Sequence, residues 1–147
     1  MTMKIRKATR NDIPYLVSIY NKTFKNTIFS PKKYYKKHID KGKAEVIEIN
    51  GKIAGAYIWD INRMKNILKT DVSIRDRYLW LIQVMVDPEH QKQGLGRNLM
   101  LDYMMKKELP KRLVCEPQLV EWYKRFGFIV YQNFYHDGKD MYVMLLE

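Results

Sequence analysis

Tyr78–Val86 reads YLWLIQVMV, Asp87–Gly96 reads DPEHQKQGLG and Arg97–Glu108 reads RNLMLDYMMKKE. These 31 consecutive residues decide the fold. The first run is apolar, aliphatic and aromatic, and bounded, as a buried strand is. Asp87-Pro88 ends it, because proline cannot donate to a ladder and aspartate favours reversal. In the third run Leu95, Leu99, Tyr103 and Met104 share one face at a period near 3.6, which predicts an amphipathic helix through Glu108. Between strand and helix, Gln91, Lys92, Gln93, Gly94, Leu95, Gly96 and Arg97 open the helix without bulk at the two glycines. The first N–H groups of a helix lack internal partners, and its dipole there favours negative charge. Glycine lets phosphate oxygens approach such amides. The sequence therefore predicts a pyrophosphate cradle.

Two familiar nucleotide loops are excluded by spacing. A Walker loop needs Lys then Ser or Thr after its second glycine, where Arg97-Asn98 stands. A dinucleotide fingerprint needs a third glycine at position 99, which is leucine.

Composition sets the outer bounds. The 147 residues predict one domain over 1–147, large enough to bury about two-thirds of its unfolded surface. With 46% hydrophobic and 13% aromatic residues, the chain is not disordered. It has no apolar run near twenty residues and no signal-like start, so a cytoplasmic protein without membrane association is expected. A single cysteine allows no internal disulfide. The formal charge of +11 points to anionic partners or simply to solubility. His38, His90 and His136 have no ligand spacing, and no metal site is expected.

Taken in order, MKIRKA (Met3–Ala8) alternates as a half-buried strand. Thr9 or Asn11 caps a helix with Asp12 in its first turn, Pro14 tolerated there, and Ile13, Leu16, Val17, Tyr20 and Phe24 inward. Ser30-Pro31 opens a second helix, PKKYYKKHI, ending before Lys41-Gly42. Ala44–Ile49 and Ile53–Ile61 form a hairpin at Asn50-Gly51. A polar, basic connection runs from Asn62 to Arg77. After the central strand, cradle and helix come a strand over Arg112–Glu116 and a helix from Pro117 with Leu119, Val120, Tyr123 and Phe126 inward, ended by Gly127. Phe128–Tyr135 and Met141–Leu146 close the chain as an antiparallel pair. No internal repeat or linker interrupts this order.

The pattern Q-x-x-G-x-G after a strand ending V-D-P-E resembles motif A of the GNAT family of acyl-CoA N-acetyltransferases, and EWYKRFGF (Glu121–Phe128) resembles its motif B. The element order β-α-α-β-β-β-α-β-α-β-β matches the family over essentially the whole chain. The resemblance implies an α/β fold: a mostly antiparallel twisted sheet of about seven strands flanked by about four helices. It implies acetyl-CoA as cosubstrate and direct attack of a small-molecule or peptide amine on the thioester. Val84, Met85 and Val86 would then offer backbone groups to the pantetheine arm, and Gln91 through Arg97 would hold the pyrophosphate. An amide near Met85 would bind the oxyanion, and Tyr123 matches the usual general acid. The family often has arginine where Gln91 stands, glutamate where Gln83 stands and asparagine where Glu116 stands. An amide such as Gln83 cannot take a proton, so Glu45, Glu48, Asp60, Glu116 or a water relay remain as candidate bases. Cys115 is read as a small buried strand residue rather than an acyl carrier.

Two other functions fit the residues: a CoA-binding module without catalysis, motivated by Gln83, and nucleic-acid or ribosome association through KKYYKKH, where aromatics sit between lysines. Homodimerisation stays open. The lysines collect in the regions that shape the acceptor in the resembling family, which predicts an acceptor with an anionic group.

Overall fold

The computed structural model describes residues 2–24, 30–61, 78–106 and 109–146. Strand β1 (Met3–Lys7) is followed by a 3-10 turn (Arg10–Asp12), α1 (Ile13–Thr23), α2 (Pro31–Asp40), β2 (Ala44–Ile49) and β3 (Lys52–Ile61). Then come β4 (Leu79–Val86), a 3-10 turn (Pro88–His90), α3 (Leu95–Met104) and β5 (Lys111–Cys115). A 3-10 turn (Pro117–Leu119), α4 (Val120–Lys124), β6 (Ile129–His136) and β7 (Lys139–Leu146) complete the chain. The fold is the mixed α/β arrangement expected, with seven strands hydrogen-bonded in the order β1-β2-β3-β4-β5-β7-β6 and four α-helices among the described residues. The connection expected over Asn62–Arg77 lies outside those residues. The chain forms two compact units, Met1–Trp59 with Gln83–Met104, and Asp60–Ile82 with Met105–Glu147. Strand β4 thus contributes its first half to the second unit and its last four residues to the first.

In the first unit, β1 and β3 each pair antiparallel with β2. Asn50 and Gly51 make the β2–β3 turn with φ of 50° and 81°, the left-handed pair that matches strand twist in a two-residue hairpin. The register slips between Ile47, paired with Gly55, and Glu48, paired with Ile53. Ala54 is therefore the extra residue of a β-bulge. Its carbonyl accepts the Asp87 amide at 2.7 Å, so the bulge fixes the end of β4.

Helix entry in this unit is set by Asp12. Its carboxylate accepts the Thr9 amide at 2.7 Å and both Arg6 Nη groups at 2.8 and 3.0 Å, while Arg6 Nε donates to Glu48 at 2.8 Å. Helix α1 buries Ile13, Leu16, Ile19 and Tyr20. Val17 and Phe24, expected inward, are half-buried: Val17 lies on the flank of a stripe centred on Leu16 and Tyr20, and Phe24 stands past the last turn. Helix α3 buries Leu95, Leu99, Met100 and Tyr103 and ends at Met104 rather than Glu108; Met104 is half-buried, and Lys107 and Glu108 lie outside the described residues.

In the second unit, β4 and β5 pair in parallel through Leu79, Trp80 and Leu81 against Lys111, Arg112 and Leu113. Strand β7 pairs antiparallel with both β5 and β6. Tyr78, Trp80, Val143 and Leu145 form a buried cluster, and the Arg112 guanidinium stacks 3.6 Å over Tyr78. The helix expected from Pro117 is a 3-10 turn followed by five α-helical residues, and Leu119 is exposed rather than inward. At three residues per turn its side chain leaves the 3.6-residue stripe that Tyr123 follows.

Candidate functional site

The cradle residues leave β4 through a tight turn. Asp87 Oδ1 accepts the Glu89 amide at 3.0 Å, its carbonyl accepts the His90 amide at 2.8 Å, and Lys22 Nζ stands 3.7 Å from its carboxylate. Lys92 and Gly94 then adopt φ of 67° and 77°, a left-handed conformation that costs glycine little and other residues more. Gly94 is the residue from which α3 departs, since its carbonyl accepts the Asn98 amide at 3.0 Å. The amides of Leu95, Gly96 and Arg97 consequently have no intrahelical partner. No acidic side chain occupies this first turn. A Cβ built on Gly94 would meet nothing within 4 Å among the described residues, which leave the space beside the loop open. Gln91, Lys92, Gln93 and Arg97 are exposed, whereas the Leu95 side chain is 1% exposed and locked in the core, leaving only its amide to act. Open space, free amides and positive dipole suit an anionic group such as a pyrophosphate.

The end of β4 in the same unit carries Gln83, Val84, Met85 and Val86. Side chains alternate along a strand, and Gln83 and Met85 share the face met by Tyr35 of α2. Tyr35 is fully buried, and its hydroxyl donates to Gln83 Oε1 at 2.7 Å with Met85 Sδ at 3.4 Å. Burial, then the neighbouring Tyr34 and Tyr20, push the Tyr35 hydroxyl far above its ordinary value, so it stays protonated. Sequence reasoning singled out Gln83 and missed Tyr35, whose only signal was an aromatic residue on the inward face of a lysine-rich helix.

In the second unit, Tyr123 of α4 is 7% exposed and packs edge-on against Trp122 and Phe128, with ring centroids 4.9 and 6.2 Å away. Burial, and then the nearby Cys115, raise its hydroxyl well above the usual tyrosine range. It is a phenol that keeps its proton. Cys115 is buried, its thiol pushed up to about 11 by burial and the Glu116 charge, and its Sγ lies 3.7 Å from Met144 Sδ. A thiol held protonated is a poor nucleophile.

The carboxylates weighed as bases have other partners. Glu45 is buried, accepting from Trp59 Nε1 at 2.8 Å and Lys7 Nζ at 2.9 Å. Glu48 is held by Arg6, and Asp60 Oδ1 accepts the Ile61 amide at 2.8 Å. Glu116 accepts from Gln118 and from Lys139 Nζ at 3.2 Å, in that order of weight, and sits below the ordinary carboxylate range. Glu116 is thereby held toward its ionised form, and Glu45, Glu48 and Asp60 are each occupied by a hydrogen-bond donor. Among the described residues no group of histidine, cysteine or carboxylate side chains could hold a metal ion, and no helix is long and apolar enough to cross a membrane.

The profile of the acetyltransferase (GNAT) family matches residues 13–128. Among solved structures, the chain is similar to an acetyltransferase of the GNAT family from Bacillus cereus, at 19% identity and a TM-score of 0.76, covering 100% of this chain and 98% of that one. The ribosomal-protein-S18-alanine N-acetyltransferase from Escherichia coli gives 20% identity and a TM-score of 0.75 over 99% of this chain and 93% of that one. Naa50 of Arabidopsis thaliana, in complex with the bisubstrate analogue CoA-Ac-MVNAL, gives 18% and 0.73 over 100% and 99%. Identities this low establish the fold. No curated protein matches the sequence.

Proposed function

The chain belongs to the acetyltransferase (GNAT) family, and on that premise we propose that it transfers an acetyl group from acetyl-CoA to a primary amine by direct attack. The observation that carries the reading is the β4–α3 junction. Its left-handed Lys92 and Gly94, the open space at Gly94 and the unspent amides of Leu95, Gly96 and Arg97 suit the CoA pyrophosphate. The likeness to Naa50 of Arabidopsis thaliana, which is in complex with a CoA-containing bisubstrate analogue, supports the same reading.

In this reading, main-chain groups of Val84–Val86 bind the pantetheine arm as an added strand would. The Met85 carbonyl is turned toward Gly55 of β3, which leaves Val84 and Val86 to make those bonds. An amide of this segment binds the oxyanion as the amine attacks the thioester carbon. Tyr123, protonated throughout the working pH range, donates a proton to the departing thiolate. No carboxylate near the amine is needed if it arrives neutral or loses its proton to water, which agrees with Gln83 standing where the family often has glutamate.

The acceptor in this reading bears an anionic group. Lys32, Lys33, Lys36 and Lys37 are exposed along α2, and the neighbouring Asp40 is engaged by Arg10 at 2.9 and 3.0 Å. Such a field attracts carboxylates and repels polycations, and it is screened beyond about 8–10 Å at physiological salt. Thiol release from acetyl-CoA, measured over amino acids, acidic peptides and polyamines at low and high salt, tests both points. The expected result is turnover of anionic amines that weakens as salt rises. Salt-insensitive acetylation of spermidine with anionic amines inert overturns the acceptor class, and absence of turnover with intact CoA binding overturns the transferase.

A further inference from the structure

The Tyr35–Gln83 pair has an orientation that defines what Gln83 offers. A tyrosine hydroxyl has one proton, and at this position two acceptors compete for it, an amide oxygen at 2.7 Å and a thioether sulfur at 3.4 Å. The amide oxygen is by far the stronger acceptor, so the proton goes to Gln83 Oε1. The reverse orientation would leave the hydroxyl proton to sulfur alone. With its oxygen occupied, the amide presents its nitrogen, and among the described residues that nitrogen has no partner. Gln83 is half-buried and immediately precedes the Val84–Val86 segment. The nitrogen is not among the buried polar atoms that lack a partner, so water can meet its two donors until a substrate oxygen takes its place.

Donors of this kind do not suit the attacking amine. An ammonium repels them, and a neutral amine needs its lone pair for the thioester. They suit an oxygen. We propose that Gln83 is an acceptor-binding residue whose amide N–H groups hold a carbonyl-type oxygen, carboxylate or amide, adjacent to the amine, and that Tyr35 positions it. The inference rests on the transferase reading above and adds a specificity to it. It makes the protein selective for α-amino compounds over simple alkylamines, and it assigns the residue a binding task in place of proton abstraction.

Three acceptors with one aromatic skeleton serve as probes: tyrosine with a carboxylate, tyrosinamide with an amide carbonyl, and tyramine with neither. Thiol release should give a kcat/KM for tyrosine and tyrosinamide about 10-fold or more above that for tyramine, the difference expected when a site built to donate meets no acceptor. Comparable gains for both mark the carbonyl oxygen as the recognised group, and a gain for tyrosine alone marks its charge. Gln83→Glu keeps the shape and still accepts the Tyr35 hydrogen bond, yet it turns acceptor oxygen toward the substrate. It should raise KM for tyrosine about 10-fold or more and erase the preference over tyramine. Tyr35→Phe frees the amide to turn, and should raise KM for tyrosine and tyrosinamide several-fold with kcat and CoA affinity held. A Gln83→Glu enzyme with faster kcat and unchanged KM for tyrosine would show that the position needs a base, overturning the assignment. So would equal effects on all three probes. Wild-type protein that acetylates another amine of the wider panel but none of these three overturns the assignment alone, whereas CoA binding with no turnover of any amine overturns the transferase reading.

Discussion

Gly55 of β3 and Met85 of β4 touch backbone to side-chain position: a Cβ on Gly55 would stand 2.6 Å from the Met85 carbonyl oxygen, with Ile47 and Leu99 atoms at 3.3 Å on its other sides. No real Cβ tolerates that approach to main chain. Gly55→Ala must therefore push β3 away from β4 beside the bulge at Ala54, and nothing flexible can yield on the carbonyl side. The expected cost is about 1–3 kcal/mol of stability, as for other overpacking substitutions, and CoA affinity should fall because Val84–Val86 move. Chemical denaturation and calorimetric titration measure the two effects; a variant equal to wild type in both would mean that this contact constrains nothing.

Gly96→Glu separates binding from folding. Glutamate in the first turn of α3 favours the helix through propensity and dipole, so the variant should melt at or above the wild-type temperature. The same carboxylate meets the pyrophosphate in the proposed cradle, and CoA affinity should drop by about 10-fold or more. Equal affinity in the folded variant moves the cofactor elsewhere.

Tyr123→Phe keeps the packing against Trp122 and Phe128 and removes the one proton in question. Turnover should fall by roughly 10² to 10⁴ with CoA affinity nearly unchanged. Rates equal to wild type across the pH range would make the residue purely structural.

Acid sensitivity should centre on Asp12. Burial pushes its carboxyl up, but the Arg6 hydrogen bonds and the Thr9 amide outweigh burial and leave it below its ordinary value of 3.8. A depressed carboxyl contributes stability that is present above that ordinary value and is lost as pH falls through the folded one. Wild-type stability should thus decline below about pH 4. Asp12→Asn should lose about 1–3 kcal/mol at neutral pH and show a flatter decline in acid. Parallel acid limbs for the two proteins in a pH series of denaturation curves would place the sensitivity in other carboxylates.

Local chemistry made most of the fold legible. Asn50-Gly51, Asp87-Pro88 and the 3.6-residue stripe of α3 each dictate a conformation to a few neighbouring residues, and the chain obeys them. The misses fall where local signals are ambiguous. Pro117 permits either helix type, and only the 3-10 start turns Leu119 outward. The bulge at Ala54 has no local signature, since it is fixed by the partners of Ile47 and Glu48 across the hairpin.

The site divides along the same line. By itself the sequence determined the strand–loop–helix that would hold a pyrophosphate, because backbone amides, glycines and helix ends act over a handful of consecutive residues. It also determined that Gln83 is no base, because an amide has no site for a proton at neutral pH. Only the tertiary structure decided which way that amide faces. Tyr35 lies 48 residues from Gln83, and its single hydroxyl proton orients the group only once α2 is packed on β4. Glu45, likewise, became a buried partner of Trp59 and Lys7 rather than a free carboxylate through contacts 14 and 38 residues apart. Hydrogen bonds to buried side chains are set by packing, and packing brings together residues whose spacing along the chain carries no mark of it.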